Sequence, residues 1–357
     1  MIVEDLLEMI VVHVKNHTLV LDANIANLEF QSLMAKMELL PLKEKDHFVV
    51  ILAYRALPYT YFLISLILGK TTIIIAGGKE DDNTDLKVVE QLGEDDVNCQ
   101  IPNLPNETSG NPSMFRHQGQ IILCGGHHNE KQCLMLNNGT WSFFNELIYP
   151  RTFATSISTQ QRHYIFGGSG ESRRTSEYLD SGSHQWQRGP DIPHGMRFGC
   201  GVSISDTELV LIGGQGTLHR VIKLNVISNE WSELPVKLIQ GRYSHSCALL
   251  NSKIIVAGGL NGGLLSSTEI IAIHSWNLTL GGCLSTARFK HGMEVMSWNK
   301  TLKLISFGGK KGSNEYLDII EVWDDDNKSW STVQNITLLQ PEASFGYMSI
   351  PSSFFQC

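Results

Sequence analysis

The chain has 357 residues, of which 42% are apolar and 18% are charged, which excludes a disordered protein and allows a sizeable core. Its net charge of -8 gives no general electrostatic reason to expect nucleic acid as a partner, because phosphate binding needs concentrated basic surface.

Residues 1–57 are predicted to form a helical segment. Two sets of residues have the spacing of a helix face, one before and one after Pro41: Phe30, Leu33, Met34 and Met37, and Phe48, Ile51, Leu52 and Arg55. The stretch at 48–68 approaches membrane-spanning length, but Arg55 and Pro58 leave apolar runs shorter than the roughly 20 residues that a bilayer requires. It is interpreted as a helix followed by a buried strand, and no membrane contact is expected.

From residue 58 to 357 the chain contains a repeat. A glycine doublet follows an apolar run six times, at intervals of 42 to 50 residues: Gly77 and Gly78, Gly125 and Gly126, Gly167 and Gly168, Gly213 and Gly214, Gly258 and Gly259, Gly308 and Gly309. A tryptophan follows five of the doublets after 16 to 22 residues: Trp141, Trp186, Trp231, Trp276 and Trp330. An arginine then opens the next apolar strand four times: Arg151, Arg197, Arg242 and Arg288.

Each repeat predicts four short strands. Glycines at a strand end permit a sharp exit with positive φ, and a tryptophan can pack between adjacent sheets while its N–H finds a partner. A four-stranded sheet with two apolar faces cannot bury them alone, so radial repetition is expected to produce an all-β, six-bladed β-propeller.

The repeat has departures that affect blade 1 and the closure of the ring. Cys99 stands near the place of the first tryptophan, blade 4 has Ile222 and Lys223 where blade 3 has Glu177 and Tyr178, and no arginine opens the strand after blade 6. Two segments are candidates for the inner strand of blade 1, the C-terminal SFGYMSIPS at 344–352 and YTYFLISLIL at 59–68. The sequence leaves this choice open.

The cysteines favour a cytoplasmic protein, whereas the glycosylation motifs favour a secreted one. The seven cysteines are an odd number without a Cys-x-x-Cys pair, which favours reduced thiols and a cytoplasmic protein. Seven Asn-x-Ser/Thr motifs would matter in a secreted protein: Asn16, Asn106, Asn138, Asn277, Asn299, Asn327 and Asn335. Because the N-terminus lacks a basic region and a cleavage site, we interpret these motifs as chance occurrences.

The doublets, tryptophans and Arg-led strands together resemble the Kelch repeat over residues 70 to 350. The run LLPLKEKDHFVVILAY at 39–54 looks like part of the BACK helical domain that precedes the propeller in Kelch-like adaptors, although no BTB domain is visible. The resemblance implies a non-enzymatic protein that recruits a substrate to a cullin-based ubiquitin ligase. The alternatives are a stand-alone Kelch protein that binds actin or another scaffold, and an enzyme on a Kelch propeller such as a copper oxidase.

No catalytic, cofactor or metal site is predicted. The segment GGSGESRRT lacks the ending of a phosphate-binding loop, and Cys124, His127, His128 and Cys133 match no zinc spacing, so they are interpreted as a buried thiol and loop imidazoles. The motif Arg-x-x-His recurs at Arg242 and Arg288 as part of the blade architecture, which favours a structural or rim role.

The loops after the doublets and between blades are expected to share one face that binds a protein partner. We expect this face to be basic and to bind an acidic peptide segment through these side chains: Arg173, Arg174, Arg197, Arg220, Arg242, Arg288, Lys310 and Lys311. The alternative is that these cations are solvated or paired within the rim.

Overall fold

A computed structural model describes residues 9–14, 42–44, 47–53, 70–94, 101–299 and 301–354 of the chain. It divides the chain into two units, Met1–Leu57 and Pro58–Cys357. In the first unit, β1 (Met9–Val14), β2 (Leu42–Glu44) and β3 (His47–Ala53) form an antiparallel sheet in the order β1-β3-β2.

The helical interpretation of the first unit is not confirmed. Phe48, Ile51 and Leu52 lie in β3, where the β-branched residues in the run favour an extended backbone. The other predicted helix face, at 30–37, lies outside the described residues, and so does the candidate strand at 59–68.

The second unit is the six-bladed propeller expected from the repeat, with four antiparallel strands in blades 2 to 6 and three in the described part of blade 1. Blades 2 and 3 contain β6 (Ser113–His117), β7 (Gln120–Cys124), β8 (Gln132–Asn137) and β9 (Thr140–Glu146), then β10 (Thr155–Ser158), β11 (Arg162–Phe166), β12 (Ser176–Asp180) and β13 (Gln187–Arg188). Blades 4 and 5 contain β14 (Cys200–Ser205), β15 (Glu208–Ile212), β16 (Val221–Asn225) and β17 (Glu230–Glu233), then β18 (Ser246–Leu250), β19 (Lys253–Ala257), β20 (Thr268–Ala272) and β21 (Leu278–Gly281).

Blade 6 contains β22 (Gly292–Trp298), β23 (Thr301–Phe307), β26 (Ile320–Asp324) and β27 (Ser329–Thr332), with a small hairpin of β24 (Lys310–Gly312) and β25 (Glu315–Tyr316) inserted in it. Blade 1 contains β4 (Thr71–Ala76), β5 (Val89–Leu92) and the C-terminal β28 (Gly346–Pro351). Short 3-10 helices span Gly170–Arg174 and Ser352–Phe354.

The C-terminal strand closes the ring. β28 pairs antiparallel with β4 from Gly346 opposite Ala76 to Pro351 opposite Thr71. Of the two candidates that the sequence left open, the C-terminal one therefore supplies the inner strand of blade 1. The position of Cys99, where the fourth strand of this blade is expected, lies outside the described residues.

The order of strands defines two faces of the ring. The turns joining first to second and third to fourth strands share one face, which we call the hairpin face. The loops after the glycine doublets and the connections between blades share the other, which we call the doublet face. At Gly167 on that face φ is +66°, and an added Cβ would lie 2.3 Å from the carbonyl oxygen of Met196, so only glycine fits this close approach.

The core consists of six apolar clusters, each built by two adjacent blades. The repeated tryptophans contribute to these clusters: Trp141 of blade 2 packs against Ile74 and Val89 of blade 1, and its Nε1 donates to the carbonyl of Pro102 at 2.8 Å. Trp330 of blade 6 likewise donates to Thr268 Oγ1 of blade 5 at 2.9 Å. Packing between blades therefore holds the ring together.

Two disulfide bonds contradict the expectation of reduced thiols. Cys124 and Cys133 are opposite each other on β7 and β8 and are bonded at 2.03 Å, so neither is the buried thiol that the sequence suggested. Cys200 on β14 and Cys247 on β18 are bonded at 2.00 Å and join the inner strands of blades 4 and 5. Sheet register brings the first pair together and packing between blades 4 and 5 the second, which is why their spacing in the sequence carried no signal.

Candidate partner-binding face

A closed circle of six backbone hydrogen bonds surrounds the propeller axis on the doublet face. In five blades one residue before the inner strand both donates and accepts, and in blade 2 the Gly110–Asn111 peptide does so: Phe153 N to Gly110 O, Phe198 N to Phe153 O, Ser244 N to Phe198 O, Lys290 N to Ser244 O, Ser344 N to Lys290 O and Asn111 N to Ser344 O. This axial circle fixes one residue of every blade beside the axis.

The residues of the axial circle have strained backbones. Phe153, Phe198 and Lys290 have φ of 55°, 57° and 54°, in the left-handed region that bulky side chains rarely adopt. Such conformations cost of order 1–3 kcal/mol each and cluster at ligand-binding sites. The circle therefore marks the axis as the candidate site.

A lysine lies over aromatic rings at this axis. Lys290 Nζ is 5.0 Å from the ring centre of Phe153 and 5.8 Å from that of Phe198, and the two rings are 4.2 Å apart. Burial, reinforced by the charges of Lys310 and Lys79, lowers the pKa of Lys290 to about 8. Among the described residues Lys290 has no ion-pair partner, so a single uncompensated cation lies at the centre of the face.

We call Lys290 and the two rings near it, Phe153 and Phe198, the axial cluster. An open cleft of about 440 Å³ adjoins this cluster on the side of blades 5 and 6. Its apolar wall is formed by Tyr243, Leu260, Leu264 and Phe289, and Lys310 lies at its edge. Tyr243 also lies 6.2 Å from Phe198, centre to centre, which connects the cleft to the axial rings.

Two arginines of blades 3 and 4 share one glutamine. Arg197 Nε donates to Gln215 Oε1 at 2.5 Å, and Arg173 Nη2 donates to the Gln215 carbonyl at 3.3 Å. The Arg197 guanidinium also lies 5.3 Å from the ring centre of Phe198. Neither arginine has an acidic partner in the described part of the chain, so both retain charge that a ligand could neutralise.

Two residues that were predicted to bind a partner are buried inside the blades instead. Arg242 and Arg288 have no solvent exposure. Each donates to the carbonyl of the first doublet glycine of its own blade, Gly258 at 2.9 Å and Gly308 at 3.1 Å. Each also pairs with a buried glutamate on the third strand, Glu269 for Arg242 and Glu321 for Arg288. They hold the blade together and cannot reach a partner.

In blade 4 the position equivalent to the leading arginine is occupied by Met196, one residue before the predicted Arg197. The second doublet glycine of blade 4, Gly214, donates to the carbonyl of Arg242, the leading residue of blade 5. The second doublet glycine of blade 3 donates to the carbonyl of Met196 and not to that of Arg197. Met196 and Ile222 occupy the two positions that hold an Arg–Glu pair in blades 3, 5 and 6. Arg197 is therefore displaced onto the doublet face, where it remains a candidate binding residue.

The other predicted cations differ in how far they are neutralised. Arg220 pairs with Glu233, Lys310 pairs with Asp82, and Lys311 lies 3.3 Å from Glu315. Arg174 is exposed and donates to the Pro193 carbonyl at 3.0 Å. The rim is thus partly self-neutralised, as the alternative interpretation of these residues anticipated.

The histidines serve the scaffold of this face. His245 and His291 are buried against the doublet glycines, and desolvation lowers the pKa of His245 to about 3, so it is neutral. His127 packs edge-on to Phe153 at 5.1 Å, and His128 contacts Asp85 at 2.7 Å. No group of three or more His, Cys, Asp or Glu residues with the arrangement of a metal site occurs in the described ranges.

Sequence reasoning missed the axial cluster. The six positions of the axial circle carry unrelated side chains, so no pattern singled them out, although each lies two residues before an inner strand. Counting back 14 or 15 residues from the first doublet glycine locates the position in blades 2 to 5, but in blade 6 the distance is 18 residues and no doublet follows Ser344. Within the same described ranges, no helix is long and apolar enough to span a membrane.

Comparison with known proteins identifies the family. The model described as the KLHDC2/KLHL20/DRC7 Kelch-repeats domain matches residues 64–259, more than half of the chain. No curated protein matches the chain. The doublets, the inter-blade tryptophans, the closed six-bladed ring and this match lead to one conclusion: the chain belongs to the Kelch-repeat family.

Proposed function

We propose that the propeller binds a protein partner through the doublet face and that the axial cluster engages an acidic segment of that partner. A Kelch propeller is a protein-interaction fold. The observation that carries the proposal is the uncompensated Lys290, held by a strained backbone over Phe153 and Phe198.

The chemistry of the face indicates the kind of segment. Arg173 and Arg197 can each donate to a carboxylate, and such charge-assisted bonds are stronger than neutral ones. The cleft beside Tyr243 and Leu264 suits an apolar side chain next to the acidic group. A peptide with Asp or Glu flanked by apolar residues would therefore match both halves of the site.

The test uses a displayed library of random peptides selected on the full-length protein. We expect enrichment of peptides containing Asp or Glu beside an apolar residue, with at least tenfold weaker binding to the double variant Lys290→Ala, Arg197→Ala. The control is Arg220→Ala, because Arg220 already pairs with Glu233 and its loss should leave binding within twofold. Equal binding to all three proteins would refute the proposed site.

The charge state of Lys290 adds a pH signature. Because its pKa in the free protein is about 8, Lys290 is charged at neutral pH and loses its proton as the pH rises through that value. An acidic peptide should therefore bind more weakly at pH 9 than at pH 7, and the Lys290→Ala variant should lose this dependence. Titration by fluorescence anisotropy measures both.

Two finer roles follow from the resemblance to Kelch-like adaptors. One is substrate recruitment to a cullin-based ubiquitin ligase, and the other is binding of actin or another scaffold; both place the protein in the cytoplasm. The two disulfides weigh against a reducing compartment. Affinity purification with mass spectrometry separates the roles, since cullin or actin in the purified complex would support one of them.

A further inference from the structure

Six of the seven Asn-x-Ser/Thr motifs fall on described residues, and all six asparagines are exposed: Asn106, Asn138, Asn277, Asn299, Asn327 and Asn335. A propeller buries much of its chain between blades, so chance motifs would also be expected in buried strands. The exposure of every described acceptor is the first observation.

Four of these asparagines lie on the hairpin face. Asn138, Asn277 and Asn327 occupy the turns between third and fourth strands in blades 2, 5 and 6, and Asn299 occupies the turn between β22 and β23. Asn106 and Asn335 lie in connections between blades instead. We call the four asparagines the hairpin-face acceptors.

The local geometry leaves these side chains able to accept a bulky group. Asn138, Asn277 and Asn299 make no side-chain hydrogen bond to any described residue, and the hydroxyl residue two positions later is exposed in each case. Asn327 Nδ2 donates to Asp324 Oδ2 at 2.7 Å, a bond that the remaining hydrogen of a substituted amide can keep.

The disulfides supply an independent observation. Disulfides form and persist in oxidising compartments such as the lumen of the secretory pathway, and N-glycosylation of Asn-x-Ser/Thr marks the surface of secreted proteins. The Cys200–Cys247 bond connects two blades, so it is part of the propeller's own architecture. Oxidised inter-blade cysteines and exposed acceptors on one face are consistent with the same compartment.

We propose that the propeller matures in an oxidising lumen and carries N-linked glycans at the four hairpin-face acceptors, on the face opposite the proposed partner site. In the transfer, the Asn Nδ2 forms a bond to the anomeric carbon of a lipid-diphosphate-linked oligosaccharide. The bond from that carbon to the diphosphate oxygen breaks, the lipid diphosphate leaves with the electron pair, and the amide loses one proton to a base of the transferase. No oxidant or reductant is needed for this step.

The test uses the protein purified from the cells that make it, with free thiols alkylated at lysis. Peptide N-glycosidase should increase its mobility on a gel and convert Asn138, Asn277, Asn299 and Asn327 to aspartate, which peptide mass spectrometry detects. Cys200 and Cys247 should be alkylated only after reduction. An unchanged mobility, or free thiols at both cysteines, would overturn the proposal.

Matched variants test the sites themselves in secreted, full-length protein. Thr140→Ala should remove one mobility step while Asn138 is intact, and Thr140→Ser should retain it. Asn229→Gln changes the equivalent turn of blade 4, which lacks the motif, and should change nothing. Loss of the step in Thr140→Ser, or its retention in Thr140→Ala, would contradict glycosylation at Asn138. Because peptide binding on the doublet face is measured separately, either proposal can fail without the other.

Discussion

At the residue scale, two equivalent positions carry different chemistries from blade to blade. Blades 3, 5 and 6 have buried pairs, Arg151–Glu177, Arg242–Glu269 and Arg288–Glu321; blade 4 has Met196 and Ile222; blade 1 has Glu342 and Glu90. Each of these third-strand glutamates also accepts a backbone N–H from the connection that leads into its blade, such as Ile239 N to Glu269 Oε2 at 2.7 Å. Both partners differ together in blade 4, which indicates that the pair is one structural unit.

The first prediction tests this unit in blade 5. Arg242→Met alone leaves Glu269 buried and unpaired, which should lower the free energy of unfolding by about 3–5 kcal/mol. Adding Glu269→Ile copies blade 4 and should recover more than half of that loss. Denaturant unfolding of the two single variants and the double variant gives the coupling energy; additive losses would mean that the pair does not act as a unit.

The second prediction concerns the carboxyl pair of blade 1. Burial raises the pKa of Glu90, and burial together with the nearby Glu90 raises the pKa of Glu342 well above its ordinary value. The folded state therefore binds more protons than the unfolded state, and the free energy of unfolding should fall as the pH rises from about 4.3 through the raised pKa. Burial raises the pKa of Glu294 to about 7, which adds a loss of the same sign up to that pH.

Glu342→Arg places in blade 1 the Arg–Glu pair of its neighbours. We expect a higher melting temperature at pH 8 than in the parent protein and a smaller decline between pH 5 and pH 8, with the decline due to Glu294 remaining. Calorimetry at both pH values measures this. A variant less stable than the parent at pH 8 would show that blade 1 does not accept the arrangement of blades 3, 5 and 6.

Residue roles were the least predictable feature of the sequence. The leading arginines looked like rim residues because their partners, such as Glu269, lie 27 positions away and come close only through the register of a third strand. Lys310 looked unpaired because its partner Asp82 belongs to blade 1 and lies 228 positions earlier in the sequence. Pairing with residues far away in the sequence decides whether a cation is free to bind a partner. The local sequence pattern does not contain that information.

At the element scale, the Cys200–Cys247 disulfide joins two inner strands that otherwise contact each other only through side chains. It closes a loop of 47 residues, and a bond of this kind is typically worth about 2–4 kcal/mol. The Cys124–Cys133 bond spans 9 residues between strands that are already hydrogen-bonded. The two bonds should therefore differ in effect.

The third prediction compares them. The double substitution Cys200→Ala, Cys247→Ala should lower the free energy of unfolding by about 2–4 kcal/mol, whereas Cys124→Ala, Cys133→Ala should cost less because the closed loop is shorter. Thermal unfolding of both variants and of the reduced parent provides the comparison. The reverse order would exclude a dominant role for chain entropy.

Strands, unlike pairings, were largely predictable. Each doublet identified the end of a second strand, and the tryptophans located the outer edge of each blade, because both depend on local backbone and packing requirements. The segment at 47–53 was misassigned as helical, since a short apolar run fits either period and only its β-branched residues favoured a strand.

At the scale of the whole propeller, stability depends on the closing strand β28, which joins the ring by strand pairing and by apolar packing. Ile350 of β28 is 2% exposed and belongs to the cluster between blades 1 and 2. The number of blades could be read from the six doublets, but the closing strand could not, because pairing between residues 270 to 280 positions apart leaves no local signal.

The fourth prediction measures this closure. Ile350→Ala should lower the free energy of unfolding by about 2–4 kcal/mol, as much as Ile255→Ala in the interior of blade 5. Leu339→Ala changes an exposed side chain in the connection that precedes β28 and serves as the control. If Ile350→Ala cost no more than Leu339→Ala, the C-terminal strand would not be a full member of the ring.

The axial circle of hydrogen bonds has no first or last member, and Ser352 N donates to the Lys70 carbonyl at 2.7 Å, so the two ends of the propeller chain already touch. A short linker could therefore join residue 354 to residue 70, and new termini could be opened at an exposed turn such as that of Asn229. A circularly permuted chain of this kind would keep every blade, since the order in which the blades are synthesised is not an element of the folded ring.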